Sequence, residues 1–331
     1  VKAHALKEFM NTKEKVVVMG HRLPDADSFG AAIGIYRAAK TLNKKAYIVI
    51  DNPTSSIIPL MNTFRDNQDY EADMFVNNHE AKEIMDDNTL LVVVDTNKPS
   101  ITQCEDLLYM AKMIVVLDHH RQGSDTIRNS VLSYIEPYAS SASEMVAEIL
   151  QYFTEGIRIR NVEADSIYAG IMIDTDNFMQ KTGVRTFEAA AFLRRCGADV
   201  TRVRKLFRED MNDYKARGET IRNAELFRGQ FAISECPSDY VDSPTVVGAQ
   251  AANELLNIVG VKASFVLTEY KGVIYISARA IDEVNVQIIM ERMGGGGHLN
   301  MAGCQLETVN MEGARNLLKS TLTEMQDGGE I

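Results

Sequence analysis

Cysteine is scarce and scattered: Cys104, Cys196, Cys236 and Cys304 form no CxxC pair. That spacing suggests neither a disulfide framework nor a zinc ribbon, and predicts a reducing, cytoplasmic setting. Long apolar runs are also missing. No stretch reaches the roughly 18 residues of a membrane span, and VKAHALKEFM lacks the segments of a signal peptide, so no membrane contact is expected from this chain. Positive charge is in deficit. With 35 basic against 46 acidic side chains, the net charge of -11 opposes binding to long nucleic acid. Small anionic ligands stay open where bound cations invert the local charge. There is no internal repeat and no low-complexity linker.

What is present is ordinary globular sequence: 331 residues, 45% hydrophobic and 24% charged. At roughly 100 to 200 residues per domain, the length predicts two domains. The first residue, Val1, is no initiator methionine, so the chain is expected to be a piece of a longer protein.

Four short runs rich in β-branched residues, KVVVM at 15–19, AYIVI at 46–50, LLVVV at 90–94 and MIVVL at 113–117, read as strands covered on both faces. A helical pattern over 29–42 separates the first two, which predicts a doubly wound parallel sheet. From 140 to about 227 the pattern turns to successive helices, the last of them NDYKARGETIRNAELF. From 228 a second α/β pattern begins: FAISE as a strand, VVGAQAANELLNI as a helix, and ASFVLTEY and VIYISARA as a hairpin around Lys271-Gly272. The expected organisation is a catalytic domain at 1–195, a helical linker at 196–227 and a smaller α/β domain at 228–331. Residues 285–292 and 311–325 read as helices.

Acidic and imidazole groups follow the strands. His21, Asp25 and Asp27 lie in GHRLPDADS after the first run, Asp95 ends VVVDT, and Asp118-His119-His120 ends VVLDHH. All are expected at the carboxyl edge of the sheet, where open α/β folds bind ligands. Asp174 in GIMIDTDNF is a fourth contribution. Singly, each has an ordinary explanation: Asp27-Ser28 as a helix cap, Asp95 as the start of an Asx turn. Together, carboxylate and imidazole without thiolate suit manganese or a similar divalent ion, and two ions with a bridging carboxylate suit phosphoryl displacement. His4 and His79 read as surface residues. In the second domain, Gly294-Gly295-Gly296-Gly297-His298 reads as a backbone nest for phosphate or nucleotide, or as a helix C-cap and turn. Arg279 ends a hairpin strand, either reaching a phosphate or standing solvated at the edge.

The motifs GHRLPDADSFGAAIG, VVVDT, LDHHRQ, GIMIDTDNF and GGGGHLNMAG, in that order, resemble the DHH and DHHA1 phosphoesterases. IEPYASSASEMV, ISARA and NVQIIMERMGGGGH are similar to the catalytic portion of the GdpP-type cyclic di-AMP phosphodiesterases of Gram-positive bacteria. Leu23 stands where that pattern often has asparagine, and Ala280 where a serine commonly follows the arginine. The resemblance implies two manganese ions, one held by His21, Asp25 and Asp95, the other by Asp27, Asp95, His119 and Asp174. Asp95 would bridge them and, with His120 facing the phosphate, form the catalytic pair. Asp118 would orient His119. Arg279, Asn285, Gly294 to Gly297 and His298 would hold a cyclic dinucleotide across an interdomain cleft. The implied reaction is hydrolysis of cyclic di-AMP to linear 5'-pApA by a metal-bridging hydroxide. The whole protein would be homodimeric, anchored in a membrane through a missing N-terminal region and facing the cytoplasm. Two alternatives stand beside it: a nanoRNase or pAp phosphatase acting on pApA or short RNA, and a catalytically silent nucleotide sensor.

Overall fold

The computed structural model describes residues 1–281 and 284–331. Backbone contacts divide the chain into two compact units, Val1–Arg208 and Glu209–Ile331.

The first unit is built on six strands: β1 (Lys15–Met19), β2 (Lys45–Val49), β3 (Phe75–Val76), β4 (Thr89–Val94), β5 (Ile114–Asp118) and β6 (Leu132–Ile135). Their order is β3-β2-β1-β4-β5-β6, and every pairing is parallel. All six residues of β4 are buried, which is why its sequence is an unbroken apolar run rather than an alternating one. Nine helices belong to this unit among the described residues: α1 (Lys2–Asn11), α2 (Ala26–Thr41), α3 (Ile58–Arg65), α4 (Asn78–Ile84), α5 (Asp106–Met110), α6 (Ala142–Gln151), α7 (Asn161–Asp174), α8 (Val184–Arg195) and α9 (Val200–Leu206). The chain winds outward from β1 through β2 to β3, then returns to β4 on the other side of β1. The strand order therefore reverses between β1 and β4, and the loops leaving those strands flank the crevice where α/β sheets take ligands.

Helices α2 and α7 are tied by a buried polar cluster. Fully buried Glu163 accepts from Arg37 Nε at 2.8 Å and Nη2 at 2.5 Å, from the Tyr70 hydroxyl at 2.9 Å and from the Arg160 backbone N–H at 2.9 Å. Each carboxylate oxygen has two donors, so the charge is matched where water is absent.

The second unit has six strands: β7 (Glu225–Phe227), β8 (Phe231–Cys236), β9 (Ala263–Tyr270), β10 (Val273–Ala280), β11 (Gly296–His298) and β12 (Met301–Leu306), ordered β11-β12-β10-β9-β8-β7. All pairings are antiparallel except β8 with β9. That parallel pair is joined through α11 (Pro244–Leu255), as a parallel connection requires a crossover. The Lys271-Gly272 turn has positive φ at both residues, 52° and 78°, the geometry of a tight hairpin turn. Helices α10 (Met211–Arg222), α12 (Val286–Arg292) and α13 (Met311–Asp327) complete the unit.

Two local expectations change. The helix read through to Phe227 stops at Arg222, and Glu225–Phe227 becomes an edge strand paired with Phe231–Ile233. Three residues carry no period, so the otherwise free edge of β8 decides their state. The glycine run does more than end α12: it leads into the β11–β12 hairpin.

In that run the four glycines differ in what they do. Gly294, at φ 84°, closes α12: its N–H donates to Glu291 O, and that of Gly295 donates to Met290 O. A Cβ on Gly295 would overlap the Gly303 carbonyl and Cys304, and one on Gly297 would lie 2.5 Å from Ala302 Cα. Gly296 alone has open space where a Cβ would stand and an ordinary φ. Gly295→Ala should therefore lower stability by about 1–3 kcal/mol through overpacking, while Gly296→Ala should stay within about 0.5 kcal/mol. Urea unfolding of the two variants checks this, and equal losses would contradict it.

Candidate metal centre

The site forms where β1, β4, β5 and α7 end. After β1 the chain runs through His21, which pairs with Thr102 in an isolated bridge, and enters α2 at Asp25. Asp25 caps α2: its Oδ1 accepts the Ser28 N–H at 2.9 Å, which leaves Oδ2 for another partner. Two residues on, Asp27 is in the first turn of the helix and only 2% exposed. The ordinary capping role thus falls to Asp25, and Asp27 is buried for some other reason.

Asp95 follows β4 in a left-handed conformation, φ 59°. That conformation is uncommon outside glycine but enriched in aspartate, and it costs about 1–2 kcal/mol. Its two oxygens face different imidazoles. Oδ2 lies 3.3 Å from His21 Nε2, while Oδ1 lies 3.3 Å from His119 Nε2 and 3.7 Å from His120 Nδ1. His21 Nε2 is also 3.6 Å from Asp25 Oδ2, and His119 Nε2 is 3.7 Å from Asp27 Oδ2 and 3.8 Å from Asp174 Oδ2. Three donor sets result: His21, Asp25 and Asp95; Asp27, His119 and Asp174; Asp95, His119 and His120.

The cluster fits divalent cations on its own chemistry. Asp95 Oδ1 and Asp174 Oδ2 are buried and make no well-formed hydrogen bond among the described residues. Anionic oxygens removed from water and only loosely partnered are costly. The donors are oxygen and imidazole nitrogen with no thiolate, a set suited to manganese-like ions.

The charges are mutually adjusted. Burial disfavours charged His21, but bonds and charges from Asp25 and Asp95 outweigh it and raise its pKa to about 10. His119, likewise buried, is raised to about 9 by Asp95, Asp27 and Asp174. Burial would raise Asp95, yet His119 and His21 hold it at about 2. Burial pushes Asp174 up, and burial with the neighbouring Asp95 and Asp174 pushes Asp27 well up.

Asp118 does not orient His119. Its Oδ1 is 2.8 Å from His120 Nδ1 and accepts the His120 backbone N–H, and its Oδ2 accepts from Asn97 Nδ2 at 2.5 Å. The two rings stand side by side at Asp95, their centroids 4.4 Å apart, but only His120 turns its Nδ1 to Asp118, while His119 Nε2 faces Asp95, Asp27 and Asp174. Asn97, which also donates to the His120 carbonyl, escaped the sequence reading. Its one signal is its place two residues after Asp95.

In the second unit Arg279 is half-buried at the end of β10. Its Nε donates to Asn253 Oδ1 at 2.8 Å and its Nη1 to Ala278 O at 2.9 Å. Asn285 caps α12, its side-chain oxygen accepting from the Gln287 and Ile288 N–H groups. His298 is exposed on the edge strand β11. His4 and His79 are exposed.

The family model for the DHH family, N-terminal domain, matches residues 15–171, and that for the DHHA1 domain matches residues 231–324. The chain belongs to the DHH/DHHA1 family. Its DHH domain carries five of the six candidate ligands inside the matched residues, with Asp174 just beyond them. The cyclic-di-AMP phosphodiesterase GdpP of Bacillus subtilis (strain 168) is 42% identical over 333 residues, covering 99% of this chain and 50% of that protein. The cyclic-di-AMP phosphodiesterase PdeA of Listeria monocytogenes serotype 1/2a (strain 10403S) is 38% identical over 323 residues, covering 97% and 49%. This DHH/DHHA1 chain thus spans about half the length of the curated relatives it matches. Among solved structures, an exopolyphosphatase-related protein from Bacteroides fragilis aligns with TM-score 0.83 at 20% identity, covering 98% of this chain and 96% of that one. That likeness speaks for the fold alone. No helix among the described residues is long and apolar enough to cross a membrane.

Proposed function

We propose that the chain hydrolyses a 3',5'-phosphodiester of cyclic di-AMP to give linear 5'-pApA. Two manganese ions would be held, one by His21, Asp25 and Asp95, the other by Asp27, Asp95, His119 and Asp174. The observation that carries this reading is Asp95, whose oxygens are divided between two imidazoles at 3.3 Å each, as a bridging carboxylate needs. The similarity to GdpP and PdeA supports the choice of substrate. When bound, such ions supply Lewis acidity toward the phosphate and lower the pKa of water.

The protein's own groups do the rest. Asp118 accepts at His120 Nδ1 and so fixes the ring, leaving Nε2 without a protein partner among the described residues. On this half-exposed ring, a proton at Nε2 would serve the substrate phosphate or the leaving oxygen. Arg279, with Nε held by Asn253, would present Nη2 to a phosphate, and Asn285, Gly294 to Gly297 and His298 would line the nucleotide site. Resting on the resemblance alone, the reading also takes the protein as a cytoplasm-facing homodimer within a longer, membrane-anchored polypeptide.

A manganese-supplemented assay offering cyclic di-AMP, pApA and a short RNA in parallel tests the reading, with EDTA as control. Metal-dependent loss of cyclic di-AMP with pApA accumulating is the expected result. Preferential turnover of pApA or RNA would make the protein a nanoRNase or pAp phosphatase. Saturable binding without turnover would make it a nucleotide sensor.

Metal uptake should release protons. His21 and His119, with pKa values of about 10 and about 9 in the metal-free site, carry protons at neutral pH, and a ligating imidazole must be neutral. Apparent manganese affinity therefore tightens as pH rises toward those values. Calorimetric titrations in buffers of different ionisation enthalpy measure the release, and a buffer-independent heat would contradict it.

A further inference from the structure

Asp27 differs from the other carboxylates of the centre in what holds it. Asp25 gives one oxygen to the α2 cap, and Asp95 and Asp174 each keep a buried oxygen without a well-formed hydrogen bond among the described residues. Both oxygens of Asp27 accept backbone N–H groups: Oδ2 from Ala142 and Oδ1 from Ser143, each at 2.7 Å. These are the first two amides of α6, whose N-cap is Ser141. They are among the donors a helix cannot satisfy internally, and the positive end of the helix faces the carboxylate. Two charge-assisted N–H···O bonds, one to each oxygen, fix the plane of the carboxylate as well as its position.

Small residues make the approach possible. A Cβ on Gly30 would lie 2.7 Å from Ser143 Oγ and 2.5 Å from the Ser166 carbonyl, and one on Gly170 would lie 2.9 Å from Ser143 Cβ. Ser143 thus occupies a socket between α2 and α7, from which its hydroxyl donates to the backbone carbonyl of Asp27 at 3.0 Å. Side chain and main chain of Asp27 are both fastened to the same helical turn.

We propose that the first turn of α6 is a positioning element that presets Asp27 as a ligand and sets the affinity of the Asp27, His119 and Asp174 half of the centre separately from the other half. The proposal rests on the reading of the cluster as a two-ion centre. A ligand already fixed loses little rotamer freedom on binding. Asp25, with its side chain 49% exposed and only one oxygen held by an amide, is fixed less firmly in the half it shares with His21.

The test uses a position where a backbone donor can be removed. Ala142 is the first residue of α6, where proline is tolerated, and Ser141 before it is extended (φ -163°, ψ 160°), as a residue preceding proline should be. Ala142→Pro deletes one amide donor, and Ala142→Gly keeps it as the control. Manganese binding to the full chain is measured by the EPR signal of the free ion. The unaltered chain should show two classes of site. Ala142→Pro should weaken one class about 10- to 100-fold, as loss of an outer hydrogen-bond partner does, and leave the other and the glycine control unchanged. Identical binding by the proline and glycine variants, or equal weakening of both classes, would overturn the proposal. If Ala142→Pro lacks a cooperative thermal transition in EDTA, Ser143→Ala decides instead. Weakening of one class by about threefold or more supports the proposal, and unchanged binding overturns it. Failure of the unaltered chain to bind two ions would sink the two-ion reading itself, whatever the variants do.

Discussion

Asp95→Asn should lower manganese-supported turnover by on the order of 10³-fold or more, with the substrate assay as the readout. The carboxamide keeps the shape and the left-handed backbone, which asparagine tolerates as aspartate does. What it loses is one of two anionic oxygens, each 3.3 Å from a different imidazole, at a side chain 2% exposed. An NH₂ group in either place would repel a cation and face a ring nitrogen with the wrong polarity. The metal-free protein should be less stable too. His119 and His21 hold the Asp95 pKa at about 2, below its unfolded value, so the ionised form stabilises the fold above that unfolded value and the benefit fades as pH falls toward 2. Activity should therefore be compared below the variant's own melting transition. Turnover close to that of the unaltered chain would remove Asp95 from the bridging role.

Glu163→Ala should destabilise the first unit by about 3–5 kcal/mol, the usual cost of removing one member of a buried charged pair. The loss has three parts. Arg37, its side chain 13% exposed, is left charged without its bidentate partner; the Tyr70 hydroxyl loses its acceptor; and the N-terminus of α7 loses the bond that closes its cap. Glu163→Gln should cost less, because it retains one acceptor oxygen for the guanidinium. Guanidinium chloride unfolding measures both, and a loss under about 1 kcal/mol for the alanine variant would show that water or a neighbouring acid takes over the pairing.

The centre of the first sheet was legible because β1, β2, β4 and β5 are covered on both faces, and such strands have no choice but continuous apolar sequence. Its edges were not. Phe75–Val76 is two residues long, and Leu132–Ile135 is only half-buried, so neither leaves a run or a period. Strand ends betray the site for a related reason: Asp95 and Asp118 interrupt apolar runs where a charge has no packing role. The contacts that orient the site's residues were hidden. Asp27 is held by amides 115 and 116 residues away in sequence, and a backbone N–H has no residue type to read. The partner of Asp118 is His120 rather than His119: the two residues are chemically identical in sequence, and only the turn of the backbone after β5 decides which ring reaches Asp118.

The winding order of the first sheet has a consequence for how the protein reaches its native state. The six candidate ligands are spread from residue 21 to residue 174, and the two flanks of the crevice are β1 and β4, which meet only after the chain has gone out to β3 and come back. No local hairpin or helix holds even one complete donor set, so an extended chain competes for the ion only weakly. Divalent cations bound at this site would therefore favour the finished fold over the unfolded chain by mass action and act chiefly as a brake on unfolding. The search that brings residues 21 and 174 together is left to hydrophobic contacts of high sequence separation, which form slowly in parallel sheets.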